Sequence, residues 1–257
     1  MREILALPAR GMQYISHRLR RAIPRVEFLG GAACFCLALL NIARIGSKHV
    51  RVLYVRHYEQ KGDAESYLSP WGEQHLRLTA ELLDFARGKA LFDRAMDIGC
   101  GEGFVTELLP ERCKTVLAVD IVPLVLSRAR ERCRRWDQVH FAEWDLLRDP
   151  PPGVFDLVLA MGVVECFSRP GDLRTARGKI VDCLKPEGYL LVTTVRANEV
   201  IESSLWARWL IRGSQNVNAF LAQEGSLKIC KTIATETHLF TLYRRDETSS
   251  DSWGGAR

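Results

Sequence analysis

An acidic residue and three glycines at alternate positions close an apolar run at Asp97-Ile98-Gly99-Cys100-Gly101-Glu102-Gly103. Glycine accepts positive φ and lets a ligand come close to the main chain. A turn of this composition, followed by a helix start, therefore leaves N–H groups open to a phosphate, a ribose or a carboxylate. A second carboxylate, Asp120, ends the next apolar run, where it can accept hydrogen bonds from both hydroxyls of a ribose. The glycine spacing narrows the choice of cofactor. A dinucleotide fingerprint read from Gly99 needs glycine at position 104, and Phe104 stands there, with the third glycine one residue early. Asp97 and Glu102 also bracket the turn with negative charge, which repels a diphosphate and suits an ammonium group.

The elements that hold these residues follow from periodicity. Apolar positions at helical spacing predict a helix from Trp71 to Gly88. Strands are predicted over 94–98, 115–120, 139–144, 155–162 and 189–195, because these are short, nearly continuous apolar runs. Helices are predicted between them: from Phe104 to Leu109 before Pro110, over 124–135 after Pro123, and over 173–188 with Pro186 and Gly188 closing it. Uninterrupted apolar strands alternating with helices indicate a parallel sheet covered on both faces. After residue 195 the rhythm changes. Trp206 and Trp209 fall on one face of a short helical segment, and two strands, 227–235 and 239–245, are close enough to form a hairpin. The expected architecture is α/β, a Rossmann-like seven-stranded sheet, mostly parallel, with a C-terminal antiparallel hairpin and helices on both faces.

The 257 residues carry a net charge of +5, unevenly spread. Residues 1–56 hold ten Lys or Arg and two acidic residues, a net of +8, which leaves the rest of the chain slightly acidic. Basicity thus belongs to one arm, and no RNA-binding motif accompanies it, so a nucleic-acid partner is not expected. Within the arm, residues 28–45 are largely apolar, carry Arg44 as their only charge and follow a basic stretch. Three readings stay open: a segment in peripheral contact with a membrane, a processed targeting segment, and a helix packed on its own domain or a partner. The eight cysteines form no C-x-x-C pair and no metal-ligand spacing, so no metal is expected. Scattered thiols fit a reducing compartment, and the expected localisation is cytoplasmic. The expected organisation is a basic and apolar helical arm over 1–56, a catalytic domain over 57–245 and a disordered tail over 246–257, as a monomer or homodimer.

Over residues 57–245 the chain resembles the class I S-adenosylmethionine-dependent methyltransferases. The resemblance rests on Asp97-x-Gly99-x-Gly101-x-Gly103 with Asp120 downstream. It implies S-adenosyl-L-methionine as cofactor and S-adenosyl-L-homocysteine as product. It places the methionine end on Asp97, Gly99, Cys100, Gly101 and Gly103, and the ribose on Asp120. It sets Ile121 and Trp144 against the adenine, Asp145 on the adenine amine, and Met161 at the cofactor side of the fourth strand. Trp144 as a core residue and Asp145 as the cap of a short turn are equally open. The segment from Tyr58 to His75 is similar to the small-molecule branch, the rhizobial nodulation N-methyltransferase group in particular.

Methyl transfer to an amine or hydroxyl requires the acceptor to lose a proton in a dry site. Glu165, just past the fourth strand, is the candidate base, with a solvated loop carboxylate as the alternative. Tyr58, Tyr67, Arg196 and Asn198 are the candidate acceptor-binding residues, since they fall at the expected mouth of the sheet. No N/D-P-P-Y motif follows the fourth strand, which disfavours nucleobase and glutamine N-methylation. The expected activity is methylation of an amine or hydroxyl on a small molecule. A nucleic-acid methyltransferase and a non-catalytic S-adenosylmethionine-binding protein are the alternatives.

Overall fold

The computed structural model describes residues 67–164, 167, 170–195, 221 and 226–247. Ser69 opens the first helix, α1 (Pro70–Arg87): its hydroxyl accepts from the N–H of Gly72, Pro70 has the fixed φ of a helix start, and Gly88 ends the helix at φ +61°. There follow β1 (Phe92–Ile98), a 3-10 turn (Thr106–Leu108), β2 (Cys113–Asp120), α2 (Pro123–Arg132), β3 (Val139–Glu143) and β4 (Phe155–Met161). The remaining elements are α3 (Pro170–Asp182), β5 (Leu184–Val195), β6 (Leu227–Ala234) and β7 (His238–Arg245). The seven strands form one sheet in the order β3-β2-β1-β4-β5-β7-β6. All pairings from β3 to β5 are parallel, and β7 runs antiparallel to both β5 and β6.

Neighbouring residues on the strands go to opposite faces, which explains their continuous apolarity. Ala95, Leu157, Leu159, Leu191 and Leu242 pack with Leu78, Leu82 and Leu83 of α1. Their neighbours Met96, Val158, Ala160, Leu190, Val192 and Tyr243 pack with Ala176 and Ile180 of α3. Ala118, two residues after Val116 and so on the α1 face, packs against Leu126 and Ala129 of α2. Hence α1 and α2 cover one face and α3 covers the other.

Two helix boundaries differ from the sequence expectation. The segment after the glycine loop forms only the 3-10 turn, because Pro110 leaves no room for a second α-helical turn and Leu109 is already fully buried. A helix dipole is therefore missing from the loop, which removes part of what a diphosphate would need. The last predicted helix ends at Asp182 rather than at Gly188. Leu184 already pairs with Phe155, and residues 185–188 bulge out of β5 before Tyr189 resumes pairing with Leu157, with Glu187 at φ +64°. Lys185 holds the bulge to Asp156 at 2.8 Å.

In the hairpin, Thr235 Oγ1 accepts from the N–H of His238 at 2.9 Å and of Thr237 at 3.3 Å, which closes the turn. Just past β7, Asp246 donates its N–H to Ser226 O at 3.0 Å and pairs with Lys228 at 2.7 Å. Among the described residues no helix is long and apolar enough to cross a membrane. The arm, the 206–211 segment and the rest of the tail lie outside the described residues.

Replacing Ser69 by Ala removes the cap of α1 and should destabilise the protein by ~1 kcal/mol. Chemical denaturation checks this, and an unchanged midpoint would remove Ser69 from the capping role.

Candidate functional site

The chain builds β1, β2 and β3 outward to one side, then crosses back to place β4 and β5 on the other side of β1. The carboxyl ends of β1 and β4 thus flank the switch point, where open α/β sheets bind ligands. The glycine loop lies there. Gly99, Gly101 and Gly103 have φ of +66°, +55° and +85°. A Cβ on Gly99 would come within 2.4 Å of Val163 Cγ2, so this backbone runs against the β4 loop with no room for a side chain.

Asp120 closes β2 beside the loop. Its Oδ2 accepts from Gly101 N–H at 3.1 Å and its Oδ1 from Val122 N–H at 3.0 Å. Burial raises its pKa, and the N–H groups of Val122, Gly101 and Ile121 work against that rise. A carboxylate has about four acceptor positions, so both oxygens can still receive hydroxyl donors. Asp97 is wholly buried at the end of β1, and Thr106 Oγ1 donates to its Oδ2 at 2.6 Å. Burial pushes Asp97 up to about 7; the Thr106 hydroxyl opposes the shift and the charge of Asp120 adds to it. Glu102 does not face a ligand as its sequence position suggested. It is buried against α2 and paired with Arg128 at 2.6 Å.

At the end of β3, Trp144 donates its N–H to Asp120 O at 3.1 Å, which places its backbone beside that residue. Its indole is buried in the core and donates to Pro150 O at 2.9 Å. Asp145 caps the 145–149 turn through Leu147 N–H at 2.9 Å, with Arg148 at 3.5 Å from its other oxygen. Ile121 packs beside Val122 and Val125. Met161 is half-buried at the end of β4, and the next residue, Gly162, donates to Thr193 Oγ1 at 2.9 Å. Tyr67 stacks on Phe104 with ring centroids 4.8 Å apart. So the fold brings Tyr67, Asp97, the glycine loop with Cys100, Asp120, Ile121, Trp144, Asp145 and Met161 to one edge of the sheet. Glu165, Tyr58, Arg196 and Asn198 lie outside the described residues. The sequence reading missed Thr106, Arg128 and Arg132. A usable signal was present for the arginines, which sit i,i+4 on one face of the helix after Asp120.

Residues 96–192, which hold the glycine loop, Asp120 and β4, match the family model described as a methyltransferase domain. That stretch of the chain is a methyltransferase domain. Among its relatives, Nodulation protein S of Sinorhizobium fredii is 25% identical over 112 residues, covering 44% of this chain and 52% of that protein. The malonyl-[acyl-carrier protein] O-methyltransferase of Serratia marcescens is 30% identical over 131 residues, 50% of this chain and 48% of that one. The chain thus spans about half the length of these curated relatives. The fold is shared with the N-methyltransferase NodS from Bradyrhizobium japonicum WM9 in complex with S-adenosyl-L-homocysteine. That likeness has a TM-score of 0.62 at 22% identity and covers 74% of this chain and 97% of that one.

The site fits the methyltransferase cofactor on its own geometry. The three positive-φ glycines leave backbone bare of side chains at alternate positions, and a buried carboxylate with acceptor capacity to spare stands beside it. The protonation of Asp97 should be visible in stability. The folded pKa of about 7 lies above the unfolded 3.8, so protonation favours the fold fully below pH 4, and that contribution fades as pH rises through 7. Asp97→Asn keeps an acceptor for Thr106 but cannot ionise. Relative to wild type it should gain on the order of 3 kcal/mol between pH 4 and pH 8 in the cofactor-free protein. Thermal melts across that range test this, and a pH-independent difference would contradict it.

Proposed function

We propose that this chain transfers the methyl group of S-adenosyl-L-methionine to an amine or hydroxyl of a small molecule. The observation that carries the reading is Asp120, a buried carboxylate at the end of β2 held against the backbone of the glycine loop. The bound cofactor supplies an electrophilic methyl on a sulfonium. Asp120 accepts from the ribose hydroxyls, and the loop from Asp97 to Gly103 receives the methionine end. Ile121 borders the adenine, and the buried Trp144 supports that wall from beneath. Asp145 receives the adenine amine with the acceptor positions that its turn leaves open. Met161 closes the cofactor side at β4.

Glu165 takes the proton of the acceptor, and Tyr58, Arg196 and Asn198 hold the acceptor at the mouth. The adjacency of Glu165 to Val164, on the segment leaving β4, supports its role. Tyr67 belongs to this wall through its stack on Phe104. In this reading the domain runs from 57 to 245 and acts as a monomer or homodimer in the cytoplasm, where buried free thiols such as Cys100, Cys113, Cys133 and Cys183 are kept reduced. The +8 arm over 1–56 gives it peripheral contact with anionic membrane surfaces.

Two substitutions separate the roles. Asp120→Ala should weaken binding of S-adenosylmethionine by ~1.5–3 kcal/mol, the range for hydrogen bonds to a charged group. Equal affinity by calorimetry would sink the assignment. Glu165→Gln should lower turnover on the acceptor while leaving cofactor affinity near wild type, and unchanged kcat would remove Glu165 from the site.

A further inference from the structure

The glycine loop is fastened to α2 by a set of contacts that the cofactor reading does not require. Four residues at i, i+1, i+4 and i+5, three on one face of α2 and the fourth its C-cap, meet three consecutive loop residues. Arg128 Nη1 lies 2.6 Å from Glu102 Oε1, an ion pair whose carboxylate is buried. A Cβ on Gly103 would lie 3.2 Å from the Ala129 backbone, so the loop rests directly on the helix. Arg132 Nε donates to Glu102 O at 2.9 Å, and Cys133 Sγ reaches Gly103 O at 3.9 Å.

Arg132 does a second thing. Its guanidinium carbon sits 3.4 Å from the centre of the Phe104 ring, while the Tyr67 ring lies nearly parallel to Phe104 at 4.8 Å and 11°. Two groups this near cannot share one face of a ring, so Phe104 is sandwiched between Arg132 and Tyr67. Phe104 is thus gripped from α2 on one side and from the approach to α1 on the other. The start of α2 is tied to Asp120 through Val122 N–H, so the same helix fixes the loop and the ribose carboxylate relative to each other.

We propose that Arg128 and Arg132 are positioning residues for the cofactor. They hold the glycine loop at its working distance from Asp120, with Phe104 as the contact through which Tyr67 steadies that loop. This inference rests on S-adenosylmethionine binding at the loop. None of these side chains needs to touch the cofactor; the arginines act through the backbone of residues 102–104.

Calorimetric titration of the full chain with S-adenosylhomocysteine, alongside thermal melts, tests the proposal. Arg132→Ala and Phe104→Ala should each raise Kd by about tenfold, the loss of one cation–π contact with or without one hydrogen bond. The double variant should bind more weakly than either single one but by less than the product of the two losses, because the cation–π contact they share is lost only once. Arg128→Lys, which keeps the ion pair with Glu102, should recover most of the affinity lost in Arg128→Ala. Should an alanine variant fail to fold, Arg132→Lys and Phe104→Leu carry the test, with smaller losses expected. Folded variants that bind within twofold of wild type would overturn the proposal, as would Arg128→Lys binding no better than Arg128→Ala. Wild-type protein that does not bind S-adenosylhomocysteine at all would instead overturn the cofactor reading, and the proposal with it.

Discussion

The carboxylate of Asp120 is the point on which the site depends. It is buried, and a buried carboxylate is tolerated only when hydrogen-bond donors converge on it. The donors here come from separate places: Gly101 in the loop after β1 and Val122 at the entry to α2. The main-chain oxygen of the same residue accepts from Trp144 at the end of β3. One residue thus ties the exits of three adjacent strands together, and moving any of them would leave an acceptor in low dielectric without a partner. The geometry that satisfies this carboxylate is also the one on which the proposed ribose contact relies.

The sheet makes that convergence possible. Because β1 sits between β2 and β4, the loops leaving β1 and β4 diverge to opposite sides and open a crevice at their carboxyl ends. Gly99 pressed against Val163 marks its floor. The antiparallel β7 brings His238 alongside Val195, so the hairpin reaches the same edge of the sheet. There Trp71, His75 and His238 form an aromatic cluster, with ring centroids between 5.1 and 6.3 Å apart. Burial holds both imidazoles low, His75 to about 3 and His238 to about 4, so they are neutral across the physiological range. They serve as walls rather than as charged groups.

Much of this was legible because strand burial and loop chemistry are local properties. Continuous apolar runs announced a sheet covered on both faces, and the strands ending at Ile98 and Asp120 were placed to the residue. The glycine spacing weighed against a dinucleotide cradle from the sequence alone. What failed was punctuation. Pro186 and Gly188 read as the end of a helix, but a bulge uses the same residues for the same conformational reasons, and only the pairing of Leu184 with Phe155 tells the two apart. Glu102 read as a charge facing the ligand because its partner, Arg128, lies far along the chain and meets it only through the packing of α2. Trp144 left two readings open. The buried ring and its bond to Pro150 place the side chain in the core, while its backbone N–H still serves Asp120.

Charge at the loop also takes on a different meaning. The sequence offered Asp97 and Glu102 as two negative groups repelling a diphosphate. In the folded chain Glu102 is neutralised by Arg128, and Asp97 is lifted to about 7 by burial. Discrimination against dinucleotides falls instead to the position of Phe104 and to the lack of an α-helix after the loop. Native mass spectrometry of the full chain, offered S-adenosylhomocysteine and a nicotinamide dinucleotide together, measures that claim most directly. The account predicts one S-adenosylhomocysteine bound per chain and no dinucleotide. A bound dinucleotide, or no binding of S-adenosylhomocysteine, would contradict it.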